Sequence, residues 1–181
     1  GKLALYEETG DEEHLKTVAE TTERMSQLVE DLLRVARQGD IVTDPEPTDI
    51  RAVVDTAWQV VEATSQATLH YDDIPSLSSD PERLCELFEN LFRNAVQHGS
   101  EEVTIRVGSL DTGFYIADDG AGIDDHKDEV FNHGFTTTPD GSGYGLSVVR
   151  TIVNAHGWDI VAVDAAGGGA RFEITGIEFL D

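Results

Sequence analysis

Three groups of residues have the types and spacing that chemistry requires. Asn90, Asn94 and His98 stand at i, i+4 and i+8, so on a helix they line one face. Asparagine is a poor helix former, and two of them beside an apolar stripe need a reason. One reason is structural, because a buried amide must find hydrogen-bond partners. The other is chemical: an amide carbonyl is an oxygen ligand for Mg²⁺, which usually keeps substrate phosphates in its shell. The other two groups are glycine-rich, Asp118-Asp119-Gly120-Ala121-Gly122-Ile123 and Gly141-Ser142-Gly143-Tyr144-Gly145-Leu146-Ser147. Alternate glycines let backbone N–H groups approach a phosphate, and a following helix adds its dipole. Each segment alone is equally an ordinary turn. The second contains no Lys, unlike the phosphate loop that ends in Lys-Ser or Lys-Thr. It also follows no predicted strand, as a dinucleotide fingerprint would.

The elements that position these groups are legible from periodicity. Asp80 followed by Pro81 predicts a helix start, with a carboxylate cap and Pro in the first turn. Leu84, Leu87, Phe88, Leu91, Phe92 and Ala95 then form the buried stripe of a helix that ends near His98 and Gly99. Ile50, Val53, Val54, Ala57, Val60 and Val61 predict another helix over 49–64. Residues 68–71 read as a short strand. Val103, Ile105 and Val107 alternate, as do Phe114 and Ile116, so the first glycine segment directly follows a strand. Residues 144–155 predict a helix closed by Gly157. Strands at 160–163 and 171–175 are joined through Gly167, Gly168 and Gly169. Helices on one side of a mixed sheet follow, an α/β sandwich.

Upstream, residues 12–37 read as a long helix. Leu15, Val18, Thr22, Met25, Val29, Leu32 and Ala36 make a heptad seam that calls for a partner helix. Gly10 and Asp11 form a turn before it, and residues 1–8 read as the end of an earlier helix. The organisation expected is a partial helical hairpin over 1–38, a linker over 39–47 with Pro45 and Pro47, and a globular domain over 48–181.

The chain has 181 residues, enough for one domain with a helical appendage. Its 12 basic residues against 36 acidic ones leave a net charge of −24. Such a surface repels nucleic acid and anionic lipid. The acidic residues are spread over the whole length, which suggests adaptation to high salt, where screening relieves self-repulsion. A lone cysteine, Cys85, excludes an internal disulfide and fits a reducing cytoplasm. Cys85 falls in an apolar helical pattern and is read as a small core residue. No apolar run reaches the length of a membrane span. The opening Gly1 suggests a fragment, so attachment of the whole protein to a membrane stays open.

The asparagine box, the Asp-x-Gly-x-Gly segment, a Phe-bearing stretch over 130–137 and the Gly-x-Gly-x-Gly segment occur in one order. Together they resemble the catalytic domain of sensor histidine kinases, within the wider superfamily of gyrase, mismatch-repair and chaperone ATPases. The resemblance covers about 48–181, and the hairpin is similar to the kinases' dimerisation and histidine-transfer region. It implies an α+β two-layer sandwich of the Bergerat type that binds ATP and Mg²⁺. By the same resemblance Asp118 accepts from the adenine amino group, and Gly120 and Gly122 let the backbone pass under the base. Asn94 is implied as the Mg²⁺ ligand, with Asn90 beside the phosphates. Gly141, Gly143 and Gly145 are implied to cradle phosphate and hinge a lid over about 124–142, with Tyr144 and Leu146 among the ATP-binding residues. His98 and Arg93 are further phosphate candidates.

The implied activity is transfer of the γ-phosphate to a histidine on a homodimeric helical bundle, then to a response-regulator aspartate. The alternatives are an ATPase of the gyrase or chaperone kind, a serine kinase of an anti-sigma system, and a non-catalytic nucleotide-binding module. One departure stands out. The family's acceptor histidine lies on the first hairpin helix, represented here by residues 1–8, which contain no His. His14 falls on the second helix and reads as an exposed residue.

Overall fold

The computed structural model describes residues 41–62, 65–99, 102–123, 127, 129–132 and 143–180. The hairpin expected over 1–38, His14, Gly141 and most of the implied lid lie outside them. All described residues belong to the compact unit Arg37–Asp181.

The elements run β1 (Glu46–Thr48), α1 (Ile50–Glu62), β2 (Thr68–Tyr71), β3 (Leu77–Ser79), α2 (Pro81–His98), β4 (Thr104–Leu110), β5 (Gly113–Asp118), α3 (Gly145–Ala155), β6 (Asp159–Asp164) and β7 (Ala170–Thr175). A five-stranded sheet has the order β2-β4-β5-β7-β6. β2 and β4 are parallel, and the other neighbours are antiparallel. β5 and β7 are therefore adjacent although α3 and β6 separate them in sequence.

The helices pack on one face of this sheet because each carries an apolar stripe at helical spacing. Along α2, Leu84, Leu87, Phe88, Leu91, Phe92 and Ala95 are all buried. Phe88 stacks on Phe114 of β5 with ring centroids 5.3 Å apart. Trp58 of α1 meets Phe92 edge-on at 5.6 Å. α2 packs against both α1 and α3. Ile105, Val107, Ile116, Phe172 and Ile174 supply the sheet's side of the core. Cys85, expected in the core, is only half-buried at the flank of α2. Burial and the neighbouring Glu89 carboxylate push its thiol pKa up.

Two short strands escape the periodicity reading. β1, at the end of the expected linker, pairs antiparallel with β3, placing Glu46 opposite Ser79 and Thr48 opposite Leu77. Three residues cannot display an alternation. The Val42 N–H also donates to the Ala155 carbonyl at 2.8 Å, which holds this segment to the end of α3.

Asp80 caps α2 as its sequence predicts: Oδ1 accepts from the Glu82 and Arg83 N–H groups, both at 3.1 Å. A second bond ties the same corner to α3. The Asp80 N–H donates to His156 Nε2 at 3.0 Å. Since a backbone N–H can only donate, Nε2 is unprotonated and Nδ1 carries the hydrogen, which it gives to the Ile152 carbonyl at 2.8 Å. Trp158 stacks on the ring at 4.3 Å. Burial holds the His156 pKa below its ordinary value, outweighing the Ile152 bond.

The linkage sign follows. The folded state takes up this proton less readily than the unfolded chain, so His156 contributes fully above about pH 6.5. The contribution is lost as pH falls from there through the lower folded value. We expect chemical denaturation at pH 7.5 and 5.5 to show a steeper acid loss for the wild type than for H156Q. Parallel pH profiles for the two proteins would contradict the linkage.

Candidate functional site

The site is assembled at the end of the sheet where β5 finishes. Because the stripe of α2 faces the sheet, the line of Asn90, Asn94 and His98 falls on the flank of that stripe. Asn90 Nδ2 donates to the Glu86 carbonyl one turn back at 2.8 Å. This turns Oδ1 towards α3, where a Cβ built on Gly145 would lie 3.4 Å from it. Asn94 is half-buried, and its side chain bonds to no other described residue. His98 closes the helix, and its carbonyl lies 3.4 Å from the position of a Cβ on Gly120. The Cα of Gly99 lies 3.0 Å from the same point. The end of α2 thus rests on the loop after β5, and a side chain at Gly120 would be tight against it.

At the head of that loop, Asp118 Oδ1 accepts from the Gly120 N–H at 2.9 Å and from the Ala170 N–H at 3.1 Å. Asp119 turns away. Its carboxylate accepts from the Thr104 N–H at 2.7 Å, and this bond lowers its pKa. Of the two aspartates, Asp118 belongs to the site and Asp119 to the start of β4. Gly122 has φ +82°, and a Cβ there would stand 3.3 Å from the Gly169 carbonyl.

α3 begins at Gly145, and its N-cap residue Tyr144 makes no side-chain cap bond. Gly143, with φ +69°, turns the chain into the helix. The Ser147 hydroxyl donates back to the Tyr144 carbonyl at 2.8 Å, so it does not cap the N–H groups. Tyr144 and Leu146 are half-buried at this end. A helix start presents N–H donors that have no partner within the helix and a positive dipole end, an arrangement suited to an anion.

The structure therefore brings Asn90 beside Gly145, and Asp118 beside Gly120, His98 and Gly99. Arg93, on the same helix, is exposed. Among the described residues no cluster of three His, Cys, Asp or Glu could hold a metal ion. A Mg²⁺ ion here would depend on the Asn94 carbonyl and on phosphate oxygens, which is how this ion is usually held. The turn at Gly169 and Ala170 also belongs to the site, although its sequence marks it only as a connection. Strand order was the missing signal, since it is the β5–β7 pairing that carries this turn to Asp118. Lys127 adds a link between the two loops through an ion pair with Asp164 at 2.6 Å.

The family described as histidine kinase-, DNA gyrase B-, and HSP90-like ATPase matches residues 79–177. The sensor histidine kinase ZraS of Escherichia coli O157:H7 is 29% identical over 170 residues, spanning 88% of this chain and 37% of that protein. The signal transduction histidine-protein kinase AfsQ2 of Streptomyces coelicolor is 31% identical over 176 residues, spanning 88% of this chain and 32% of that protein. The chain thus corresponds to about a third of the length of these relatives. Among solved structures, full-length ShkA in complex with AMPPNP is similar with a TM-score of 0.71 and 25% identity, covering 89% of this chain and 37% of that one. The Acinetobacter baumannii histidine kinase AdeS has a TM-score of 0.70 at 23% identity, covering 92% and 84%, and supports the fold alone. Among the described residues no helix is long and apolar enough to cross a membrane.

Proposed function

The chain belongs to the histidine kinase-, DNA gyrase B- and HSP90-like ATPase family, and within it we propose that it is the MgATP-binding catalytic module of a protein-histidine kinase. The observation that supports the reading is the placement of the Asn90 amide against the glycine start of α3, with the Asp118 carboxylate in the loop on which the end of α2 rests. Asp118 receives the adenine amino group, the N–H groups at 143–146 receive phosphate, and the Asn94 carbonyl holds Mg²⁺. The complex of the similar ShkA with an ATP analogue agrees with a nucleotide in this fold. The γ-phosphate is presented to an imidazole on a dimeric helical bundle, and the phosphohistidine then serves a response regulator. In phosphoryl transfer, positioning and electrostatic stabilisation do most of the work.

A hydrolytic ATPase is the competing reading. By resemblance, hydrolytic relatives carry a Glu one helical turn before the Mg²⁺-binding Asn, where it activates water. Here that position is Asn90, whose amide cannot take a proton near neutral pH. The Glu89 carboxylate lies against Cys85, with Sγ to Oε1 at 3.8 Å, on the opposite flank of α2. Glu86 stands two turns before Asn94 and offers its carbonyl to Asn90.

Three outcomes are expected. In titration calorimetry D118N weakens ATP by roughly 1–3 kcal/mol, because an amide donor faces an amino donor. N94A loses the Mg²⁺-dependent part of the affinity and spares adenosine. Unchanged MgATP affinity in both variants would remove these assignments.

Phosphate release from ATP should be very slow, since a positioned general base contributes about 10²–10⁴-fold and the position one turn before Asn94 holds the amide of Asn90. Label should transfer once a histidine-bearing hairpin helix is supplied. Brisk hydrolysis abolished by E86Q or E89Q would favour the ATPase.

Extending the chain upstream to complete the hairpin should give a stable dimer by light scattering in high salt. A strictly monomeric extended chain would count against the bundle.

A further inference from the structure

We propose that the β6–β7 turn, through Gly169 and Ala170, positions the Asp118 carboxylate and thereby sets which nucleobase the site accepts. The inference rests on Asp118 being the group that receives the base's amino group.

Asp118 Oδ1 takes two backbone donors from separate segments. The Gly120 N–H comes from its own loop, and the Ala170 N–H comes from a strand 52 residues further on. Rigid donors on two sides fix the carboxylate plane and occupy Oδ1, while Oδ2 accepts from no described residue. Adenine offers an amino donor to such an acceptor. Guanine offers a carbonyl at the corresponding edge, and two acceptors then face each other unmatched. A site built to take a particular donor rejects the analogue that lacks it, because its own polar group is left unpaired. Discrimination of this kind requires that Oδ2 stay in place, and a carboxylate held only by its own loop could rotate to present either oxygen.

The close approach is made of glycine on both sides. A Cβ on Gly169 would fall 2.7 Å from Asp118 Oδ1 and closer still to the Asp118 main-chain carbonyl. Gly122 meets the Gly169 carbonyl from the opposite direction. The neighbouring Gly168 supplies a natural comparison. It has φ +92°, so a side chain there is strained in the same way as at Gly169 with φ +82°, yet nothing lies within 4 Å of its Cβ position. Gly168 serves the turn, whereas Gly169 serves the turn and the approach to Asp118.

The test measures ATP and GTP affinity of the whole chain by competition binding, with a thermal melt of each protein. G168A should keep the wild-type preference for ATP. G169A should weaken ATP by about tenfold, the loss of roughly one well-placed hydrogen bond, and shrink the ATP-to-GTP ratio. A170P removes the N–H donor at the first residue of a strand, where Pro is tolerated, and should do the same. It decides the question if G169A melts too early to assay. Combining G169A with D118N should add little further change in the ratio, because both act on one acceptor. Equal losses of ATP and GTP affinity at an unchanged ratio, in folded G169A and A170P, would make the turn merely structural and overturn the proposal. An unchanged ratio in D118N alone would instead remove Asp118 as the base-reading group, which is a separate failure.

Discussion

The azimuth of α2 is the constraint on which the site depends. Its apolar stripe is buried from Leu84 to Ala95, and Phe88 is locked between Phe114 of the sheet and Phe92 of the same helix. Replacing such a ring by a methyl group typically costs about 3–5 kcal/mol, so the helix has no inexpensive way to roll. A helix advances about 100° per residue. With the stripe fixed against the sheet, Asn90, Asn94 and His98 must follow one flank, and Glu89 must fall on the other. In the proposed site, the choice between an amide and a carboxylate beside the phosphates would therefore be a choice of residue at one position, held by packing that has nothing to do with nucleotide.

The remaining parts of the site arrive by backbone, and glycine is what lets them arrive. Gly120 lies under the end of α2, Gly145 passes Asn90, and Gly169 presses on Asp118. Each contact joins segments far apart in sequence and adjacent in space; a Cβ would fall well inside contact distance at Gly169, would be tight at Gly120, and would make an ordinary contact at Gly145. The sheet order does the gathering, because β5 delivers Asp118 and its neighbour β7 delivers the Ala170 donor. The side chains that could do chemistry are few, and the geometry around them is main chain held by a rigid core.

That division explains what the sequence displays and what it conceals. α1, α2 and α3 announce themselves through long stripes at helical spacing, and Asp80-Pro81 marks a helix start to the residue. β4 and β5 are recognisable from the alternation of Ile105 with Val107 and of Phe114 with Ile116. β1 and β3 have three residues each and carry no period. Asn90 and Asn94 draw attention because asparagine is out of place on a helix. His156 does not, since one histidine after a helix has no pattern, and its role appears only when the Asp80 corner is beside it. Gly169 is hidden among three glycines that read alike, and only the neighbour it meets distinguishes it from Gly168.

Charge sets the last condition on this design. A chain of net charge −24 repels a nucleotide polyphosphate at long range. Among the described residues, exposed Arg93 on α2 is the basic side chain nearest the asparagine flank, and several others are engaged elsewhere. Arg83 is paired with Asp80, Lys127 with Asp164 and Arg171 with Glu173, while Arg51 reaches the Tyr71 hydroxyl. In the proposed site, attraction at contact would come from Arg93, from the N–H donors and dipole at the start of α3, and from a divalent ion carried with the phosphates. Such groups lose little to salt, because a hydrogen bond at about 3 Å lies within even the roughly 3 Å screening length of molar salt, whereas the opposing surface repulsion is extinguished there. Main-chain dipoles suit the phosphate recognition proposed for so acidic a chain, and a glycine-rich helix start without a lysine is consistent with that use.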